Sequence, residues 1–245
     1  MPSAEPQHSP TSLHALRAHR TYAPNRGARR QESPDNVEWM AEDMLDRVAT
    51  AIRRCARYSL AIFLTYVVSA TVGAAMVHAG SGFALSRRDA IVERAASDQA
   101  SLDYRAGRRA RAALADAAAN FGLAALPQTI AGLTIVLPYL TVAHQGWVGG
   151  IVSVDGHHVS RLRSVRGGAY YLGVLLLQFL AFSLCIGGGI RCGVALYEQN
   201  RHVGWRFWRY RIRRSALGDL LWIIGASIPL FLLASSFEFL SSWNA

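Results

Sequence analysis

The chain alternates between charged segments and long runs that contain no Asp, Glu, Lys or Arg. These uncharged runs are 58–86, 117–154, 167–190 and 220–237. A bilayer core is about 30 Å thick and requires roughly 20 apolar residues for each helix that crosses it. Lone strands would leave backbone groups unpaired in lipid, whereas helices pair them internally. The pattern therefore predicts an all-α fold, a polytopic transmembrane helical bundle.

The number of crossings depends on how residues 117–154 are divided, because this run is long enough to cross twice. A break near Pro138 gives helices at about 118–137 and 139–155, and five membrane helices in total. Arginines cluster just before the first run and again within 201–214, and cytoplasmic loops collect Arg near helix ends. Both clusters are cytoplasmic only if four crossings separate them. We therefore expect five helices and a cytoplasmic N-terminus, with four helices or a re-entrant 117–154 segment as the alternatives.

The polar segments divide the rest of the chain. Residues 1–34 are rich in Pro, His, Ser and Arg, which predicts a disordered cytoplasmic tail. Apolar residues then recur at helical spacing over 35–57, which predicts an amphipathic helix at the cytoplasmic interface or a lead-in to the first crossing. Residues 58–240 form the transmembrane domain. Its loop 87–111 carries seven Arg together with several acidic residues, and predicts an external amphipathic helix at about 87–117.

The net positive charge of the chain is explained by residence in a membrane. All 26 basic residues are Arg, and the formal net charge is +10. These residues lie in the loops, where topology and anionic headgroups account for them. Membrane lipids are therefore expected partners, and nucleic acid is not. The exclusive use of Arg is typical of a GC-rich genome, and phosphate or lipid recognition by guanidinium groups is the alternative.

Small residues and one pair of charges predict how the helices pack. Gly146 and Gly150 form one GxxxG pair, and Gly189 and Gly193 form another. Small residues four apart let helix backbones approach closely in lipid. Packing within the chain is the simpler interpretation, and a homo-oligomer contact or a substrate path is the alternative. Arg191 and Asp219 end neighbouring runs on the cytoplasmic side. The simpler interpretation is that Arg191 extends to the cytoplasmic interface, and the alternative is an ion pair between Arg191 and Asp219.

The sequence contains no recognisable catalytic constellation. HExxH, GxSxG and Gly-rich phosphate-binding motifs are all missing from it, so no enzymatic activity, catalytic residue or cofactor is expected. Asp155, His157 and His158 are types that bind zinc, but the external loops supply no evident further ligand, so a solvated turn is the prediction. Glu238 lies near the external end of the last run, and a proton or ligand role there is left open.

Several sequence motifs in the second half of the chain follow one another in a recognisable order. Asn120 lies in AAANFGLAALPQTIAGL, the glycines Gly146, Gly149 and Gly150 lie in HQGWVGGIVSVDG, and Gln178 lies in LLLQFLAFSLCIGGGIRCG. With the acidic and aromatic end around Glu238, this order over about 118–240 resembles the stage II sporulation protein M family. The resemblance implies a polytopic protein of the prokaryotic inner (cytoplasmic) membrane. The founding type of that family remodels septal membrane and cell wall in a complex with a peptidoglycan-degrading protein.

Two functions follow as hypotheses. The first is a non-enzymatic scaffold or accessory subunit of a membrane protein complex in the cell envelope, because the loops are short and no catalytic cluster is found. The alternative is a component of a small-solute or lipid transporter. Prolines at 127, 138 and 229 interrupt apolar runs, and broken helices build transport sites. Arg191 would then line the path.

Overall fold

The computed structural model describes residues 34–201 and 212–240, and within these ranges the regular elements are helices. The predicted tail up to Ser33 and the arginines Arg206, Arg209 and Arg211 of the second basic cluster lie outside them. The elements are α1 (Pro34–His78), α2 (Gly82–Ala95), α3 (Gln99–Arg105), α4 (Arg109–Ala118), a π-helix (Ala119–Ala125), α5 (Leu126–Ala131), a 3-10 turn (Gly132–Thr134), α6 (Leu137–Ile151), a second 3-10 turn (Arg161–Arg163), α7 (Val165–Asn200) and α8 (Arg214–Leu240).

Three of the helices are long and apolar enough to cross a membrane. They are the Glu42–His78 part of α1, α7 and α8, each containing a stretch with a mean hydropathy of 2.0. The all-α prediction is confirmed, and these helices are those of a multi-pass membrane protein. The predicted boundary between an interfacial helix at 35–57 and the first crossing is not seen. α1 runs through it without a break, which is the lead-in alternative.

Residues 119–151 form a hairpin whose turn differs from the predicted one. The helical path of the π-helix and α5 ends in the 3-10 turn, and the chain then reverses at Ile135, whose φ is 68°. The Val136 N–H donates to the Thr134 carbonyl at 2.8 Å, which makes this a γ-turn. Pro138 does not break a helix but sits in the first turn of α6, where its missing N–H removes no helical bond.

The predicted helices at 118–137 and 139–155 are therefore wrong in their boundaries. The break lies at residues 132–136, and α6 ends at Ile151 after 15 residues, fewer than the roughly 20 that cross a bilayer. Prolines 127 and 138 lie at helix starts, and Pro229 lies inside a continuous α8. The apolar run indicated that this region is helical. The position of the turn depends on the backbone conformation at Ile135, which no proline marks.

The single long helix predicted at about 87–117 is also wrong, because the chain forms three short helices there. Turns at 96–98 and 106–108 separate α2, α3 and α4, and Gly107 adopts a φ of 76° in the second turn. A glycine in this left-handed conformation ends a helix readily, because it has no Cβ atom that would strain the backbone. We call residues 82–118 the α2–α4 segment. α4 packs along α8, and the rings of Tyr104 and Phe239 lie 5.7 Å apart.

The core between the long helices is aromatic. Tyr66 of α1 stacks on Phe179 of α7 with ring centroids 4.5 Å apart. Phe182, one turn further along α7, meets Phe231 of α8 edge-on at 5.0 Å. Offset and edge-to-face pairs are the favourable geometries for aromatic rings. This cluster joins α1, α7 and α8, and its rings Tyr66, Phe179 and Phe182 line the cavity described below.

Candidate functional site

The glycines of α6 bring its backbone against α1. A Cβ atom at Gly146 would lie 2.7 Å from the Tyr66 carbonyl oxygen, and one at Gly150 would overlap the Ala70 backbone. Gly73 of α1 returns the contact, since a Cβ there would overlap the Trp147 carbonyl. Residue numbers rise together along the two helices, so α1 and α6 run parallel. This is the close approach that small residues permit.

The second glycine pair brings α7 against the turn of the hairpin. A Cβ atom at Gly193 would lie 2.6 Å from the Leu133 carbonyl oxygen, and one at Gly189 would overlap the Thr129 backbone. Gly132 in turn approaches Gly189, with a gap of 2.8 Å from its would-be Cβ. All four glycines singled out in the sequence are thus packed inside the chain, and their faces are occupied by its own helices rather than offered to a second copy.

The structure contains the ion pair between Arg191 and Asp219, and adds a third member to it. Both the Nε and the Nη2 of Arg191 donate to Asp219 Oδ2, at 3.1 and 2.7 Å. Arg54 of α1 donates to the other oxygen, Oδ1, at 3.3 Å. The Asp219 side chain is only 9% exposed, whereas Arg54 is 51% exposed. One carboxylate therefore joins α1, α7 and α8 at one end of the bundle, which we call the Asp219 end.

A cavity of about 420 Å³ opens between the helices towards the other end of the bundle. Glu238 in its wall lies 19 residues beyond Asp219 on the same helix, which is about 28 Å along the axis. That spacing is close to the thickness of a bilayer core. The lining combines aromatic, amide and charged side chains: Tyr66, Asn120, Ala124, Gln145, Val148, Gly149, Val152, Arg161, Tyr170, Tyr171, Val174, Leu175, Gln178, Phe179, Phe182 and Glu238.

Hydrogen bonds fix the polar side chains of the wall. The Gln178 amide of α7 donates to Glu238 Oε2 at 3.1 Å. The Tyr66 hydroxyl of α1 donates to Gln145 Oε1 of α6 at 2.8 Å, which orients the Gln145 amide. The Tyr171 hydroxyl donates to the Gly149 carbonyl. Buried polar groups are costly unless they are paired, so these bonds hold a polar surface in an apolar bundle.

A second carboxylate lies behind the wall. Asp116 at the end of α4 accepts hydrogen bonds from Asn120 Nδ2 at 2.9 Å and from the Ser235 hydroxyl of α8 at 2.6 Å. Asn120 belongs to the π-helix and also lines the cavity. π-helical turns are rare and occur frequently at functional sites. The carboxylates of Asp116 and Glu238 repel each other electrostatically, while Arg161 attracts Glu238.

The loop between α6 and α7 carries Arg161 to the rim of the cavity. The Ser160 hydroxyl accepts the Leu162 N–H at 3.2 Å and lies 2.7 Å from His78 Nε2 at the end of α1. Further along, His158 Nε2 lies 3.1 Å from Asp89 Oδ2 of α2. The loop is thereby tied to both α1 and α2, so the backbone position of the exposed Arg161 is fixed.

The Asp155, His157 and His158 cluster is a turn. Asp155 Oδ1 accepts the backbone N–H groups of Val159 and His157, each at 2.9 Å. Those two bonds, Val159 first, lower the pKa of the Asp155 carboxyl. Across residues 34–201 and 212–240, no three or more His, Cys, Asp or Glu side chains are placed to hold a metal ion.

The cavity was only partly visible in the sequence. Glu238 was singled out for its position near a helix end, and Gln178 through the family resemblance. Arg191 does not line the cavity, contrary to the transport alternative, because Asp219 holds it at the opposite end. Nothing selected Tyr66, Gln145 or Tyr171, although an amide inside an uncharged run is a signal that could have been used for Gln145. No protein-family model, no curated protein and no solved structure matches the chain.

Proposed function

We propose that this chain is a multi-pass membrane protein that binds a small polar solute between its helices, as a transporter or a component of one. The observation that carries the proposal is the cavity walled by Glu238, Gln178, Gln145 and Asn120 within an apolar helical bundle. Ionisable and amide side chains are costly at membrane depth and mark ligand or ion pathways. Its volume of about 420 Å³ lies within the range of small-molecule sites.

The topology that goes with this function has five crossings and a cytoplasmic Asp219 end. The turn of the 119–151 hairpin packs against Gly189 and Gly193, on either side of Arg191. That contact supports a hairpin that descends to the depth of the Asp219 ion pair and returns, which supplies two crossings, the second of them short because α6 has 15 residues. Arg54 and Arg191 favour the cytoplasmic side for this end. The cavity then opens towards the external side.

Thiol labelling tests this topology. In a background without Cys55, Cys185 and Cys192, a membrane-impermeant thiol reagent added to intact cells should label Gly156→Cys in the external loop. It should leave Val136→Cys at the hairpin turn unlabelled until the membrane is permeabilised. Labelling of Val136→Cys in intact cells would contradict the five-helix arrangement.

A pair of matched glycine substitutions tests the cavity. Gly149 lines it, and a Cβ there would lie 3.0 Å from the end of the Leu175 side chain. Gly173 on α7 has open space around its would-be Cβ. We expect Gly149→Leu to fill the cavity, and Gly173→Leu to leave it unchanged. The measurement is thermal stabilisation of the purified protein in detergent by amino acids, amines, carboxylic acids and sugars.

A solute that stabilises the wild type and Gly173→Leu but not Gly149→Leu would support binding in the cavity. Stabilisation that survives Gly149→Leu would place the solute elsewhere, and the absence of any stabilising solute would contradict the proposal. Uptake of the same solute into proteoliposomes would then separate a transporter from a receptor.

A second candidate is the scaffold or accessory subunit, and the surface of the α2–α4 segment favours it. This segment lies outside the three candidate spans, yet Phe83 and Leu114 are 61% and 62% exposed and Leu102 is 46% exposed. A continuous patch of exposed apolar side chains marks contact with a protein or a membrane, and the scaffold candidate requires that these three residues belong to one. The resemblance to the stage II sporulation protein M family supports a partner in envelope remodelling.

Co-purification in mild detergent tests the scaffold. A stoichiometric envelope protein should accompany the wild type and be lost from the Leu102→Glu, Leu114→Glu variant, whose thermal stability should be unchanged. Purification of a chain that carries nothing but lipid would count against this candidate.

A further inference from the structure

We infer that the solute of this cavity is a small zwitterion of the amino-acid or betaine type, with its ammonium group at Glu238 and its carboxylate at Arg161. The inference rests on the proposed solute-binding function and names the chemical class that the cavity selects. It depends on two opposite charges that face the same space from different elements, Glu238 from α8 and Arg161 from the loop before α7.

The Glu238 side of the cavity suits an ammonium group. The Glu238 carboxylate is oriented by the Gln178 amide at 3.1 Å, and the Asp116 carboxylate adds negative potential from behind. The neighbouring wall is aromatic, with Tyr66 stacked on Phe179 at 4.5 Å. Aromatic faces attract cations, and together with a carboxylate they recognise primary and quaternary ammonium groups.

The Arg161 side suits a carboxylate. Guanidinium presents donors in a planar fork that matches carboxylate oxygens. Within residues 34–201 and 212–240, no carboxylate lies at ion-pair distance from Arg161, and the nearby Asp89 and Asp155 accept bonds from His158 and from backbone N–H groups. The turn that carries Arg161 is anchored through Ser160 to His78, which fixes the backbone of Arg161 at the rim, within reach of the cavity that its side chain lines.

The arrangement of charge and volume disfavours purely anionic solutes, purely cationic solutes and phospholipids. A purely anionic solute would meet Glu238 and Asp116, and a purely cationic one would meet Arg161. A phospholipid is too large for a cavity of about 420 Å³, since sites of roughly 300–1,000 Å³ take small molecules. A zwitterion of a few heavy atoms satisfies both ends at once.

A chemical series combined with charge-neutralising variants tests the inference. The probes are the neutral amino acids and glycine betaine, the corresponding decarboxylated amines, and the N-acetylated acids. Binding is measured by titration calorimetry on the full chain in detergent. Glu238→Gln and Arg161→Gln remove one charge each without changing the side-chain size greatly. Glu198→Gln and Arg163→Gln are the matched controls, because both side chains are exposed and neither lines the cavity.

We expect a zwitterion to bind more tightly than its amine or its N-acetylated acid, and each cavity variant to weaken binding by about tenfold or more, as loss of a charged partner does. The two control variants should bind like the wild type. If Glu238→Gln fails to fold, the comparison of zwitterion with amine and acid still decides the matter.

Three results would overturn the inference. If the amine binds as well as the zwitterion and Arg161→Gln has no effect, the solute is a simple cation. If only an uncharged solute binds, and Gly149→Leu blocks it, the charges do not select the ligand. Both of these leave the proposed cavity function standing. If no solute binds to the wild type, the inference and the proposed function fail together.

Discussion

At the residue scale, Asp219 is the carboxylate on which three helices converge. It is nearly buried, it accepts two hydrogen bonds from Arg191, and it accepts a longer one from Arg54. The sequence indicated the first partner as one of two interpretations, because both residues end apolar runs at the same side. It could not predict Arg54, since three other arginines lie in the same segment and only helix rotation decides which faces Asp219.

The shared carboxylate sets an order of stability among single variants. Asp219→Asn leaves two guanidinium groups without their partner and should cost the most, Arg191→Gln less, and the half-exposed Arg54→Gln the least. For Arg191→Gln we expect a loss of about 1–3 kcal/mol, the cost of leaving a buried polar group unsatisfied. Thermal unfolding in detergent measures this. The exchange Arg191→Asp with Asp219→Arg should partly restore stability, and equal melting of all variants would show that the pair contributes nothing.

Ile135 is the strained residue of the hairpin turn. Its φ of 68° is an outlier for a β-branched residue. We expect Ile135→Gly to be more stable than Ile135→Ala by about 1–2 kcal/mol, because both variants lose the side chain but only glycine relieves the left-handed strain. Denaturant or thermal unfolding of the two variants in the same detergent compares them directly. If alanine is the more stable of the two, the turn does not have this conformation in solution.

At the element scale, the parallel pair α1 and α6 is held by close backbone contact at its glycines and by the side-chain hydrogen bond between Tyr66 and Gln145. The GxxxG spacing predicted a close crossing but not its partner, because a small-residue face is compatible with any helix. The apolar runs likewise predicted helices at the right places. They could not predict the turn at Ile135 or the three-helix division of 82–118, which depend on backbone conformations at single residues.

The crossing predicts a sharp contrast between two glycines. Gly150→Leu forces atoms into the Ala70 backbone, and overpacking of this kind costs about 1–3 kcal/mol or more. Gly225→Leu on α8 meets nothing within 4 Å and should be neutral or slightly stabilising, because leucine favours helix more than glycine does. Thermal unfolding of both variants measures the difference. Equal stabilities would contradict the α1–α6 contact.

At the scale of the whole molecule, two polar sites lie at opposite ends of a mostly apolar bundle. The charged residues of the Asp219 end could be located from the sequence, because charged residues near the ends of membrane helices follow a topological rule. Most of the cavity could not be located in this way, since its wall is assembled from residues of α1, the π-helix, α6, the second 3-10 turn, α7 and α8 that are far apart in the chain. Only the packing of all six elements turns isolated amides, tyrosines and one arginine into one surface.

Outside the candidate spans, Asp103 makes the stability of the α2–α4 segment depend on pH in the acid range. The side chain is fully buried and pairs with Arg108 at 2.6 Å and Arg111 at 3.2 Å. The hydrogen bond from Gln99, followed by those from Arg108 and the charge of Arg111, lowers its pKa. Because the pKa in the folded chain lies below the value of about 3.9 in an unfolded one, Asp103 stabilises the segment fully above that pH and loses this effect as pH falls through the lower pKa.

The difference in stability between the wild type and Asp103→Asn isolates this effect from other acid transitions. We expect the wild type to be the more stable at neutral pH and the gap to close below about pH 4. Thermal unfolding across pH 2–7 provides the measurement. A gap that stays constant to pH 2 would show that the charge of Asp103 is not what holds α3 to α4.

The π-helix at Ala119–Ala125 has a consequence for how the cavity could have arisen. A π-turn is what one inserted residue makes of an α-helix, and each residue rotates everything beyond it by about 100°. Without the insertion, Asp116 and Asn120 could not face α8 and the cavity while Gly132 faces α7. The wider turn lets the two halves of one helix keep independent orientations. Deletion of one residue here should turn Asp116 and Asn120 away from α8 and the cavity while α5 stays packed against α7.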